Sequence, residues 1–222
     1  MNSAHRQHLT DWLNDWGCRQ FSLRHHDSAS EQILAWYREN LNDLPPGDKK
    51  LWELAEQELE EISEVYNDLI VRKASQVSTN SRSFSKSVGP TGASKILFAL
   101  RPEIAVPWDE AIRKGLKHGN DGSSYVDYLK RVCTEIQSLA KSCRNNSIEL
   151  LGVPELLNRE GSTVAQLVGE YFWITETRKC YPPSPETLKS WADWLNKVHP
   201  IMKAGQNCLE KNQSLPRELL SQ

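Results

Sequence analysis

Apolar residues return every three or four positions along most of this chain. That period, set by the 3.6-residue turn of the α-helix, restricts the fold more than any other feature. The clearest run lies between Lys49 and Ala74, where Leu51, Leu54, Leu59, Ile62, Val65, Leu69 and Ile70 predict one long helix. Leu9, Leu13 and Trp16 mark an opening helix closed by Gly17. Ile33, Leu34, Trp36 and Tyr37 mark a second over 30–41, ended by "DLPPGD". Tyr125, Leu129, Val132, Ile136, Leu139 and Cys143 share another helix, and Val164, Leu167, Val168, Tyr171 and Phe172 a further one. After the Pro-rich "CYPPSP", Ser184 or Thr187 caps a helix carrying Leu188, Trp191, Leu195 and Val198. "CRQFSLRHHD" alternates only weakly and reads as a short extended piece or an irregular link, and the Ser-rich 75–87 segment, "SQVSTNSRSFSKS", reads as a loop. With no strand-rich region and no internal repeat, the expectation is a mainly α, single multi-helix domain over residues 1–222. Its tail, 210–222, is expected to fray.

A chain of 222 residues is long enough to bury a core as one domain. Its formal net charge of −2 announces neither a globally basic nucleic-acid binder nor an acidic disordered chain. The five cysteines, Cys18, Cys133, Cys143, Cys180 and Cys208, are scattered, without the close spacings of zinc or iron–sulfur ligation. Together with the absence of an apolar leader or a membrane-length apolar run, they suggest a soluble, cytoplasmic protein with reduced thiols, no membrane partner, no metal and no cofactor. His25, His26 and Asp27 are adjacent and share no helix face, so a surface reading suits them better than a metal site. The eight tryptophans sit mostly in helical segments, where packing explains them; Trp108 alone is singled out below.

Charge is partitioned locally. Asp48, Glu53, Glu56, Glu58, Glu60, Glu61, Glu64 and Asp68 form an acidic stretch, the pattern of a solvated helix face. Between Asp68 and Glu103 there is no acidic residue, yet Arg72, Lys73, Arg82, Lys86, Lys95 and Arg101 all fall there. Cations interleaved with Ser and Thr suit a phosphate backbone as well as an ordinary surface loop.

Within that basic stretch lies "VGPTGASKILFALRPEIAVPWDEAIRKGL", residues 88–116. Gly89, Pro90 and Gly92 predict a tight turn and Ala93–Leu100 a helix, whose N-terminus can offer free N–H groups to an anion. Thr91, Ser94, Lys95 and the preceding Lys86 would add donors. Asp109, just after Pro107 and before an amphipathic segment, is a natural helix N-cap.

The order of these features resembles the helix-hairpin-helix DNA glycosylase superfamily. "VGPTG" lines up with the family's hairpin, "ASKILFAL" with its second helix, and "IAVPWDEAIRKGL" with the segment bearing the catalytic carboxylate. The resemblance implies double-stranded DNA as partner, backbone contacts through Lys86, Gly89, Thr91, Gly92, Ser94 and Lys95, Asp109 as catalytic acid, and Trp108 as a pocket wall. An ionised aspartate there stabilises the positive charge that builds on the sugar as an N-glycosidic bond breaks. Two further readings stand beside DNA binding with base excision: a non-catalytic helical interaction or adaptor protein that keeps the hairpin architecture, and an enzyme of another class using Asp109. No P-loop, dinucleotide fingerprint, nucleophile elbow or HExxH is present.

Overall fold

The acidic stretch forms the central helix of a computed structural model, which describes residues 1–22, 26–79, 82–194 and 197. In chain order the helices are α1 (Ser3–Asp15), α2 (His26–Asn40), α3 (Glu56–Val71), α4 (Gly89–Leu100), α5 (Glu110–Gly115), α6 (Gly122–Asn145), α7 (Val153–Leu156) and α8 (Val164–Phe172). A π-turn, Trp173–Thr177, prolongs α8. A ninth helix, α9, covers 185–194. The chain divides into a compact unit, Met1–Cys180, and a second unit, Tyr181–Gln222. In the second, the Ser184 hydroxyl accepts the Thr187 N–H at 3.2 Å, which makes Ser184 the cap; Leu195, Val198, Cys208 and the tail 210–222 lie outside the described residues.

Helix α3 buries Leu59, Ile62, Val65, Tyr66 and Leu69 and leaves Glu56, Glu60 and Glu64 exposed. Glu58 accepts the Ala55 N–H at 2.8 Å and the Lys49 ammonium at 2.6 Å, which closes the first turn; the same two contacts hold its carboxyl below the ordinary glutamate range. The helix is shorter than its apolar period predicts. Leu51 belongs to a separate 3-10 turn, Leu51–Glu53, and Ala74 to a strand.

The segment expected as a loop is a β-hairpin. Strand β1 (Lys73–Thr79) pairs antiparallel with β2 (Arg82–Ser87) from Lys73 opposite Ser87 to Thr79 opposite Arg82, with an irregularity between Lys73 and Ser75. At its base the Val88 N–H donates to the Arg72 carbonyl at 2.7 Å, so the hairpin leaves α3 and re-enters at α4 almost where it began. Ala74 and Ser75 are buried, and β1 packs on α2. Ser- and Thr-rich strands carry no apolar face of period two, which is why no strand signal shows in the sequence.

The expected tight turn at 89–92 also takes another form. "GPTG" is the first turn of α4 itself, with Pro90 near the helix start, where its missing N–H costs nothing. Gly89 carries the unusual geometry, φ +69°, at the join with the hairpin. What precedes α4 is therefore a β-hairpin, and the order found is helix, β-hairpin, helix.

Helix α6 is the second pillar. Asp121 caps it by accepting the Ser124 N–H at 2.8 Å, and its buried face, from Tyr125 to Cys143, packs on α3 and α8. The approach to α3 is close at Gly122, where a Cβ would lie 2.1 Å from the Ser63 carbonyl oxygen.

Candidate functional site

Residues 105–109, in neither helix nor strand, are held by side chains from α3, α4 and α6. The Tyr125 hydroxyl accepts the Val106 N–H at 3.2 Å and lies 3.1 Å from the Val106 carbonyl; the Tyr128 hydroxyl donates to the Pro107 carbonyl at 3.3 Å. Ser94 Oγ accepts the Trp108 N–H at 3.2 Å. Trp108 Nε1 donates to the Tyr66 hydroxyl at 3.1 Å, and that hydroxyl lies 3.1 Å from the Pro90 carbonyl. The rings pack as tightly as the polar tips bond: Tyr66 stacks on Tyr125 at 4.5 Å, and Trp108 meets Tyr125 at 5.2 Å and Tyr128 at 5.4 Å. Burial raises the hydroxyl pKa values of Tyr66, Tyr125 and Tyr128 well above the tyrosine norm, so all three stay neutral donors at physiological pH.

Trp108 is 1% exposed and fully packed, and the pocket wall implied by the resemblance is a core residue here. Asp109 follows it at the N-cap of α5, half-buried. Its Oδ1 accepts the Ile112 N–H at 2.8 Å and its Oδ2 the Thr177 hydroxyl at 2.8 Å. The N-cap reading is therefore the geometry observed, and the second oxygen ties α5 to the π-turn. Asp109 lines none of three surface cavities formed by the described residues. Those measure about 650 Å³ beside His5, His8, Trp12 and Tyr37, about 410 Å³ beside Leu116, His118, Lys130 and Arg131, and about 320 Å³ beside Trp52, Gln137 and Arg144.

The expected phosphate donors are dispersed by the fold. Lys86 is exposed, Gly89 and Thr91 are half-buried, and Gly92 is buried, with Phe21 and Val88 3.1 Å from where a Cβ would stand. Ser94 is fully buried, its hydroxyl engaged at Thr91 and Trp108. Lys95 is 8% exposed, and its ammonium donates to the Trp16 carbonyl at 2.5 Å, closing the C-terminus of α1. Gly92 and Lys95 thus face inward toward the 3-10 turn Arg19–Phe21 and the end of α1, and Ser94 faces inward toward Trp108. Other cations of the basic stretch are also engaged. Arg72 bridges Asp68 and Glu39 at 2.5 Å each, and Arg101 donates to the Pro45 carbonyl at 2.9 Å.

Sequence reasoning passed over Thr177 and the tyrosine hydroxyls as functional groups. Spacing puts Tyr125 on a helix with Leu129 and Val132, but its polar partner is a main-chain segment 19 residues away in sequence, which no local spacing reveals. Among the described residues, no group of three or more His, Cys, Asp or Glu side chains could hold a metal ion, and no helix is long and apolar enough to cross a membrane. Comparison with protein-family models, curated proteins and solved structures finds no match.

Proposed function

We propose that this protein is a non-catalytic helical interaction module whose contact surface is the end of the fold formed by 148–174. One observation carries the reading. Among the described residues, nine large hydrophobic side chains of the first unit are exposed, and seven of them are Ile148, Leu151, Leu156, Leu157, Tyr171, Trp173 and Ile174. They come from elements that contact one another: α7 touches both α8 and the 3-10 turn Leu150–Gly152, and α8 runs into the π-turn. Concentrated apolar exposure of this kind marks protein contact sites. Asp109, by contrast, has both oxygens occupied within the fold.

A photo-reactive residue at position 173 tests this: it is expected to cross-link one defined protein in cell extract, and a Leu157→Ser, Ile174→Ser pair to abolish the product while leaving the unfolding midpoint unchanged. Cross-linking that survives the pair of substitutions sinks the reading.

Duplex-DNA binding with base excision, as implied by the helix-hairpin-helix resemblance, remains a second proposal. It is favoured by the placement of Asp109 at a helix start behind Trp108. Base release from damaged duplexes, abolished by Asp109→Asn with folding intact, would establish it in place of the first.

A further inference from the structure

Helix α5 ends in a Schellman motif. The His118 N–H donates to the Arg113 carbonyl at 2.8 Å and the Lys117 N–H to the Lys114 carbonyl at 3.2 Å. The residue at its left-handed position, where glycine is the usual occupant, is Lys117, with φ +61°. A lysine there carries a backbone cost that a glycine would not. The Schellman bonds repay part of it, but the Lys117 side chain is exposed and has no hydrogen bond or ion pair among the described residues.

The general preference for cations at a helix C-terminus accounts for Arg113 and Lys114 in the last turn, and Lys114 is further held by Glu110 at 2.6 Å. It does not account for a third cation in the position that glycine serves best. Ser147, Asn158 and Lys179 share the left-handed backbone, so what sets Lys117 apart is its place beside a cavity lined by cations.

Lys117 stands between two residues, Leu116 and His118, that line the cavity of about 410 Å³. Lys130 and Arg131 of α6 line the same cavity, with Asp127 as its one carboxylate. The His118 ring makes no hydrogen bond among the described residues and rests 6.2 Å from the Trp108 ring. Lys130 pairs with Glu56, and Arg131 with Glu135 at 3.4 Å; both are exposed pairs that an incoming anion can exchange at little cost. Thr134, the remaining polar lining residue, returns its hydroxyl to the Lys130 carbonyl.

We propose that Lys117, His118, Lys130 and Arg131 form a binding surface for closely spaced phosphate groups, such as a nucleic-acid backbone. It lies apart from the 148–174 end and does not depend on the reading given above for that end.

The test combines stability with affinity. Lys117→Gly relieves the backbone, so its urea midpoint is expected to rise above that of the parent protein. Its affinity for a short duplex DNA at low salt is expected to fall about threefold to tenfold, with the slope of log affinity against log salt reduced by about 0.9, the share of one phosphate contact. Lys117→Gln keeps the strain and is expected to lose the same affinity without the gain in stability. Lys130→Gln with Arg131→Gln is expected to weaken binding further. Inorganic pyrophosphate competing at micromolar concentration would identify a small phosphorylated compound as the ligand, whereas competition only by excess duplex identifies the polymer backbone. Unchanged duplex affinity in Lys117→Gly and Lys117→Gln, or no binding of either probe at low salt, overturns the proposal.

Discussion

Trp108 and Trp173 belong to regions built from the same kinds of side chain to opposite effect. Around Trp108 the indole N–H and the hydroxyls of Tyr66, Tyr125 and Tyr128 all have partners, and the rings are buried. At the 171–174 end, Tyr171, Trp173 and Ile174 keep two-fifths or more of their surface in water, and the Arg178 guanidinium lies 5.4 Å from the Trp173 ring. An aromatic residue with a polar tip enters a core only when the tip finds a partner, because an unpaired buried donor costs more than the ring gains. Satisfaction of polar atoms therefore goes with burial at the Trp108 node, and the 171–174 aromatics stay half in water.

The contrast breaks most sharply under Trp108→Ala, which is expected to cost about 3–5 kcal/mol in urea unfolding. A loss under about 1 kcal/mol would show that the node is not the centre of the core. Alkaline pH probes the same node with comparable force. Burial raises the three tyrosine pKa values in the folded state, so each folded hydroxyl keeps its proton where the unfolded chain, titrating near pH 10, has lost it. The node's contribution is fully present below about pH 10. Above it, stability is expected to fall by up to about 4 kcal/mol per pH unit from the three groups together. A denaturation profile flat from pH 9 to 11 would contradict this.

Gly122→Ala places a methyl group against the Ser63 carbonyl and is expected to cost about 1–3 kcal/mol by prising α6 from α3. Asp109→Ala removes the cap of α5 and the bond from Thr177. It is expected to cost about 0.5–2 kcal/mol, while Asp109→Asn, which retains a capping oxygen, costs less. Thermal unfolding of the two variants side by side measures the difference. At the other end of the scale, Trp173→Ala is expected to change stability by no more than about 0.5 kcal/mol, and a larger loss would place Trp173 with the core.

The sequence by itself determined the helices, since a period of three to four apolar residues has one economical solution and each recurrence is local. Thus Leu9 and Leu13, Tyr125 to Cys143, and Val164 to Phe172 all lie on helices as their spacing predicts. It also determined Asp109 as an N-cap, because capping is settled within three residues, here by the Ile112 N–H. Tertiary structure decided what local pattern does not carry. Pairing of Val77 with Phe84 and Gln76 with Ser85 turns a Ser-rich stretch with no period of its own into a β-hairpin. The neighbours that α4 meets decide that Ser94 and Lys95, polar by composition, face inward, Ser94 to the Trp108 segment and Lys95 to the end of α1 at Trp16. A donor's availability depends on which neighbour reaches it first. For Lys95 that neighbour is a carbonyl 79 residues away along the chain, which no reading of adjacent residues supplies.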